Sequence, residues 1–316
     1  MKAKLPSPTV ILDDFTSKVE EDHNVIFKPN VGPQTDFLAS SEREVLYGGS
    51  AGGGKSYAML ADPLRYMGVP AFAGVLLRHT TEELRELITK SQEMYPKIWP
   101  GIKWSERKMT WTAPSGATLW LSYLDKDQDV TRYQGLAFSW IGFDELTQWS
   151  TPYAWNYMRS RLRTADPELP LSMRATTNPG GRGHHWVKKM FIDPAPAGNS
   201  FIATDIDSGE ELKYPAGHER AGKPLFKRRF IPARLSDNPY LSAQGDYEAM
   251  LLSLPEQQRK QLLEGDWDIK EGAAFTEFDR KVHVVEPYDI PSNWIKFRAC
   301  DYGYGSYSGV IWFAVS

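Results

Sequence analysis

Gly49-Ser50-Ala51-Gly52-Gly53-Gly54-Lys55-Ser56 has the spacing G-x-x-x-x-G-K-[ST] of a phosphate-binding loop. A polyphosphate needs many N–H donors close together and no side chains in the way. Glycine supplies both, because its backbone can wrap an anion. Lys55 has the length to reach the β- and γ-phosphates, and the Ser56 hydroxyl suits a Mg²⁺ ion. A second acidic landmark closes LAFSWIGFDE, residues 136–145. There Asp144 has the position of a metal-supporting carboxylate, and Glu145 that of a base that orients and deprotonates water. Taken alone, such an ending is more often an exposed acidic turn; the loop upstream favours the metal reading.

Further polar residues fall near these two. Gln34 lies 21 residues upstream of Lys55; its amide offers the donor and acceptor an adenine edge needs, or it is a solvated loop residue. LSMRATTNPGG, 171–181, reads as a strand ending in Thr176, Thr177 and Asn178, where polar side chains can sense a γ-phosphate. No arginine lies between Gly49 and Ser56. Charge developing on a γ-phosphate would need one from elsewhere. Arg132 and Arg78 are candidates, each equally readable as a surface ion pair. Asp125, Asp127 and Asp129 read as a solvated loop, lacking the glycine and glutamate of an EF-hand. His184 and His185 are adjacent and show no zinc spacing.

The elements that must position these residues alternate. Glu44–Tyr47 is a short apolar strand, and YAMLA after Ser56 opens a helix whose positive end faces the loop. Pro63 ends or restarts that helix. FAGVLLRHT, 72–80, is a buried parallel strand that puts Arg78 near the C-terminal sheet edge. Thr80-x-x-Glu83 is a capping box opening a helix over 81–95. KMTWTAP and ATLWLSY suggest a hairpin, and Pro152 starts a helix towards Leu162 whose Arg159, Arg161 and Arg163 read as a solvated face. FKRRFIPARL, 226–235, is a basic strand, and two helices follow over 242–264, with Gly265 as C-cap. The pattern predicts an α/β fold with a mostly parallel sheet.

The chain has 316 residues, 41% hydrophobic and 24% charged, with net charge −3, an ordinary globular composition. That charge gives no general nucleic-acid signature. The single cysteine, Cys300, permits no internal disulfide and suits a reducing compartment. No apolar run is long enough for a membrane span, and the N-terminus lacks a secretory pattern.

Pro33-Gln34, GGSAGGGKS, the FDE at 143–145, TTNPGG at 176–181, DNP at 237–239 and EGDWD at 264–268 follow one another in an order that resembles the large terminase subunit of tailed bacteriophages, the ATP-driven motor of genomic DNA packaging. The resemblance implies an additional-strand, RecA-like P-loop NTPase with a small helical lid. It implies ATP and Mg²⁺ as cofactors, cradled by Gly49, Ser50, Ala51, Gly52, Gly53, Gly54, Lys55 and Ser56. Gln34 would read adenine, Asp144 support Mg²⁺, Glu145 activate water, and Thr176, Thr177 and Asn178 couple hydrolysis to motion. Arg132 would lie where a trans-acting arginine is expected, and Arg78 could also serve the phosphates.

The partners implied are double-stranded DNA, a portal protein, a small terminase subunit and further copies in a ring, in the host cytoplasm. Lys188, Lys189, Lys227, Arg228 and Arg229 are the candidate DNA contacts. The expected organisation is an arm over 1–30, an ATPase core over 31–200, a lid and linker over 201–290, and from 291 the start of an RNase H-like nuclease. Asp301 matches the first carboxylate of that nuclease. The chain ends at Ser316 before the others, so no nuclease activity is expected of it. Another P-loop DNA-dependent ATPase, of helicase or repair type, and a nucleotide-gated assembly protein without turnover are the alternatives.

Overall fold

The computed structural model describes residues 25–243, 245–269, 285–302 and 308–315. Most of the expected N-terminal arm, residues 1–24, lies outside the described residues. The chain forms two units, Met1–Glu271 and Gly272–Ser316.

The first unit is built on a sheet whose strands are β1 (Glu44–Gly49), β2 (Ala73–Arg78), β3 (Lys103–Ser105), β4 (Thr110–Thr112), β5 (Thr118–Tyr123), β6 (Trp140–Asp144), β7 (Ser172–Thr177), β8 (Ser200–Ile202) and β9 (Lys227–Ala233). Their spatial order is β3-β4-β5-β2-β6-β7-β1-β9-β8. In that order the six strands from β5 to β9 run parallel, while β3, β4 and β8 add antiparallel edges. One strand, β7, therefore stands between the glycine-loop strand β1 and the acidic strand β6.

Both faces of the sheet are covered, so its central strands read as continuous apolar runs rather than alternating ones. Along β2, Val75 and Leu77 enter one core layer and Leu76 the other; along β6, Ile141 and Phe143 enter the first and Trp140 the second. That is the period-2 alternation of a pleated strand. Helix α1 (Pro33–Ala39) precedes β1, and α2 (Lys55–Ala61) follows the glycine loop. Pro63 does end α2, in a 3-10 turn over Asp62–Tyr66. Helix α3 (Thr81–Ile98) opens on the expected capping box and runs through Pro96, three residues past the predicted end. Helices α4 (Tyr153–Arg159) and α5 (His184–Val187) cover the other face, α5 widening into a π turn over Lys188–Ile192.

Strands β8 and β9 lie beyond residue 200, where the composition marks the end of the core, yet β9 pairs with β1 along its full length. Pro232 is tolerated there because β8 pairs only with Lys227–Arg229 and makes no demand on its missing N–H. The small helical piece is α6 (Pro239–Ser242), α7 (Asp246–Leu252) and α8 (Glu256–Arg259), the last continued by a π turn over Lys260–Glu264 and stopped by Gly265 at φ 66°. The second unit contains an antiparallel hairpin, β10 (Ile295–Asp301) with β11 (Gly309–Val315), its side chains largely exposed on both faces. No helix among the described residues is long and apolar enough to cross a membrane.

Two readings of basic residues are corrected here. Arg228 is not a surface DNA contact: it is buried, and its Nε donates to Glu44 Oε2 at 2.7 Å. Arg159 turns inward as well, onto Glu44 Oε1. A charged residue in a strand at the heart of a sheet must find its counter-charge there. Burial opposes ionisation of Glu44, but the two guanidiniums outweigh it and hold its pKa below the ordinary 4.5. This pair therefore contributes stability that is present above that value and lost as pH falls through the lowered one. Glu44→Ala, which strands both guanidiniums, is expected to cost about 3–5 kcal/mol in urea unfolding at neutral pH, with the difference from wild type shrinking in acid.

Candidate functional site

The glycine loop links β1 to α2, and its conformation is set from three directions. Gln34 Nε2 donates to Gly54 O at 2.9 Å, the Tyr47 hydroxyl to Gly53 O at 2.7 Å, and Asn238 Nδ2 to Gly52 O at 2.6 Å. With three successive carbonyls held outward, the N–H groups of Gly52, Gly53, Gly54 and Lys55 have no protein acceptor among the described residues. Unpaired amides in a glycine loop at a helix start form an anion nest. Gly52 and Gly54 both have φ 77°, a conformation only glycine takes without strain. Space is equally short: a Cβ at Gly52 would stand 2.8 Å from Leu235 and 2.9 Å from Tyr247, in the segment leading into the lid and the lid itself.

The first two amides of the loop are already used. Ser50 N donates to Ala233 O at 2.8 Å, tying the loop to β9, and Ala51 N donates to Leu262 O at 2.7 Å, tying it to the lid. Lys55 folds back, its Nζ donating to Ser50 O at 2.6 Å and to Asn178 Oδ1 at 2.8 Å. Burial pushes the Lys55 pKa down, against the pull of Glu145 and Asp144.

The acidic pair sits on the adjoining strand ends. Asp144 closes β6, fully buried, and its Oδ1 accepts from the Thr176 hydroxyl on β7. Arg78 Nε lies 2.9 Å from Asp144 Oδ2 but off the hydrogen-bond line, so that oxygen has no aligned donor. Glu145 then turns into the left-handed region at φ 59°, ψ 55°, unusual for a residue with a side chain and a mark of imposed local strain. The turn brings Glu145 Oε2 to 3.4 Å from Asn178 N and 3.5 Å from Thr177 Oγ1. Burial and the neighbouring Asp144 charge raise the Glu145 pKa, with Lys55 and Arg78 opposing. A carboxylate held in this way is a stronger base than one in water.

Thus Gly49 to Ser56, Asp144, Glu145, Thr176, Thr177 and Asn178 come together at the C-terminal edge of β1, β7 and β6. Gln34 joins them as a loop tether. Its Oε1 also accepts from Asn30 N at 2.6 Å, and each end of the amide retains one further hydrogen-bonding position. Arg78 joins through Asp144. Arg132 does not: it is exposed on a 3-10 turn over Asp127–Tyr133, with Nη2 on Tyr123 O at 2.8 Å and the Tyr123 ring beneath it. Asp301 lies in the second unit, exposed at the end of β10. Of the proposed DNA contacts, Lys188 is paired with Asp268 and Arg229 donates to Gly198 O, while Lys189 and Lys227 stay exposed.

Two contributors, Tyr47 and Thr147, carry no motif signal, and a third, Asn238, lies in DNP at 237–239 with no role assigned to it from the sequence. Tyr47 is one more apolar-looking strand residue in the sequence. Thr147 belongs to no recognisable pattern, yet its hydroxyl lies 2.7 Å from that of Thr177. Asn238 also caps α6, accepting from Tyr240 N at 3.2 Å.

The donor set suits a hard cation that keeps several of its waters. The oxygens present are the Ser56 hydroxyl and Asp144 Oδ2, with no group of three or more His, Cys, Asp or Glu side chains able to hold a metal among the described residues. That is the arrangement Mg²⁺ takes when phosphates supply the remaining ligands.

A family model described as "Terminase large subunit, T4likevirus-type, N-terminal" matches residues 46–282. The structure is similar to the large terminase of a thermophilic bacteriophage in complex with ADP, at TM-score 0.56 and 17% identity over 90% of this chain. It is similar also to the ATP-gamma-S complex of the same protein, at TM-score 0.55 and 18% identity over 92% of this chain. In both cases the chain spans 65% of the length of that terminase. A point-mutant form of the Thermus phage P74-26 large terminase ATPase domain matches at TM-score 0.50 and 11% identity, over 77% of this chain and 96% of that one. At these identities the likeness establishes the fold, a P-loop NTPase sheet with flanking helices. No curated protein matches the chain.

The loop geometry makes Asn238 a sensitive position. Asn238→Ala removes a helix cap and the tether to Gly52 together, with an expected loss of about 1–2 kcal/mol in thermal unfolding. Asn238→Asp keeps the cap but turns an acceptor towards Gly52 O, so it should be no more stable than the alanine variant.

Proposed function

Because the chain belongs to the T4likevirus-type terminase large-subunit family, we propose that it is the ATP-hydrolysing part of a motor that drives double-stranded DNA into a viral procapsid. The observation that carries this reading is the meeting of Lys55, Asp144, Glu145, Thr177 and Asn178 on three neighbouring strand ends around a loop with free amides.

ATP would enter with its β-phosphate against the amides of Gly52 to Lys55. Lys55 would exchange Ser50 O and Asn178 Oδ1 for the β- and γ-phosphates, and Gln34 would turn its unused amide positions to the adenine. Ser56 and Asp144 would hold Mg²⁺, which when bound neutralises phosphate charge. Glu145 would take the proton from a water lined up with the γ-phosphate. When that phosphate leaves, Lys55 would return to Asn178 Oδ1, and the strand end carrying Thr176, Thr177 and Asn178 would shift. The lid, covalently continuous with β9 and bonded to Gly52, would move with the loop.

Arg132, exposed and held only at the surface, fits an arginine donated to a neighbour's site in a ring of copies; Arg78 fits a cis role through Asp144. DNA would be met mainly at its phosphates, making binding salt-sensitive and sequence-tolerant, with Lys189 and Lys227 the exposed cations of the candidate set. A portal protein and a small terminase subunit are the partners, in the host cytoplasm. Asp301, at the end of β10, is proposed as the first carboxylate of a nuclease-type site.

Glu145→Gln should bind ATP with near wild-type affinity and hydrolyse it at least about a hundredfold more slowly. No turnover by the concentrated wild-type chain with DNA would remove the motor reading. Mixing Arg132→Ala with Lys55→Ala chains should restore part of the activity that each lacks; unchanged turnover in Arg132→Ala assemblies would clear Arg132 of the trans role.

A further inference from the structure

EGDWD, residues 264–268, is a motif that the hydrolysis site does not use. Its tryptophan, Trp267, is buried in the main core. The ring stacks on His184, centroids 5.3 Å apart at 22°, and meets Phe230 of β9 edge-on at 6.0 Å. It also lies against β1, where a Cβ at Gly48 would come within 3.3 Å of it.

His184 closes the other side. Its Nδ1 accepts from Gly180 N at 2.8 Å, in the turn that follows Thr177 and Asn178. A nitrogen that accepts carries no proton, so Nε2 is the donor, and it points at Trp267 O at 3.1 Å. Just upstream, Leu262 O holds Ala51 N, and Gly265 passes so close to the loop root that a Cβ there would stand 2.6 Å from Ser50 N.

We propose that His184 and Trp267 are positioning residues that latch the turn after β7 to the rear of the glycine loop through the end of the lid. A shift at Thr177–Asn178 moves Gly180. Gly180 moves His184, His184 moves Trp267, and the segment 262–267 then pulls on Ser50 and Ala51. Both ends of the nucleotide's polyphosphate thus meet on one lid segment, by contiguous bonded and packed groups. As a statement about movement during turnover this rests on the ATPase reading above; as a mechanical link it does not.

The Trp267 indole N–H is buried without an acceptor, so the ring serves by its faces and edge. Phenylalanine should replace it. Hydrogen exchange on the nucleotide-free full chain tests the latch directly. In His184→Ala, exchange should quicken at Gly180 and, remotely, at Ala51, by roughly two- to thirtyfold, while Val75 and Leu87 keep their wild-type rates. Trp267→Phe should leave Ala51 within about twofold of wild type. Wild-type exchange at Ala51 in His184→Ala would overturn the latch, as would an equal rise at every amide. A non-hydrolysable ATP analogue should further protect 262–267 in wild type and not in His184→Ala. If wild type itself shows no such protection while His184→Ala still loosens Ala51, the nucleotide reading fails and the latch stands.

Discussion

Everything at this site depends on three carbonyls being held still. Gly52, Gly53 and Gly54 would, on their own, sample many conformations, since glycine loses more backbone freedom on folding than any other residue. The tethers come from a helix before the loop, from the strand that leads into it and, in Asn238, from 186 residues further on. Because they act on the carbonyls, they leave the amides for the ligand. The cradle is therefore formed before any phosphate arrives, and the ordering cost falls on folding rather than on binding.

The same economy governs the charges. Lys55, Asp144, Glu145 and Arg78 lie within one buried cluster, where burial and Asp144 oppose ionisation of Glu145 while Lys55 and Arg78 favour it. Glu44, Arg159 and Arg228 form a second cluster further from the ligand, with Glu44 at the opposite end of β1. The first is poised to be rearranged by a polyanion; the second is closed on itself. Arginine paired inside the sheet cannot serve DNA, which is why basic residues counted along the chain overstate the basic surface.

Much of this was legible in the residues. The loop, the acidic pair and the polar end of β7 announce themselves because each needs particular residue types at fixed offsets. The capping box of α3 and the C-cap at Gly265 do so for the same reason. The sheet boundary was hidden: β9 is flanked by proline, glycine and charge, and only its pairing with β1 reveals it as core. Tyr47 and Thr147 were hidden too, because their importance lies in side-chain hydrogen bonds, from Tyr47 to Gly53 O and from Thr147 to Thr177 and Asn178, that no local pattern encodes. His184 looked like half of a histidine pair; its partners are a backbone amide and a carbonyl far along the chain.

The central claim is that the amides of Gly52 to Lys55 are vacant, preorganised donors for a β-phosphate. Amide nitrogen and proton chemical shifts of these residues, followed while AMP, ADP and ATP are added in turn with Mg²⁺, test it most directly. ADP and ATP should shift all four amides strongly and AMP should not. Equal shifts with AMP, or no shift with any of the three, would contradict it.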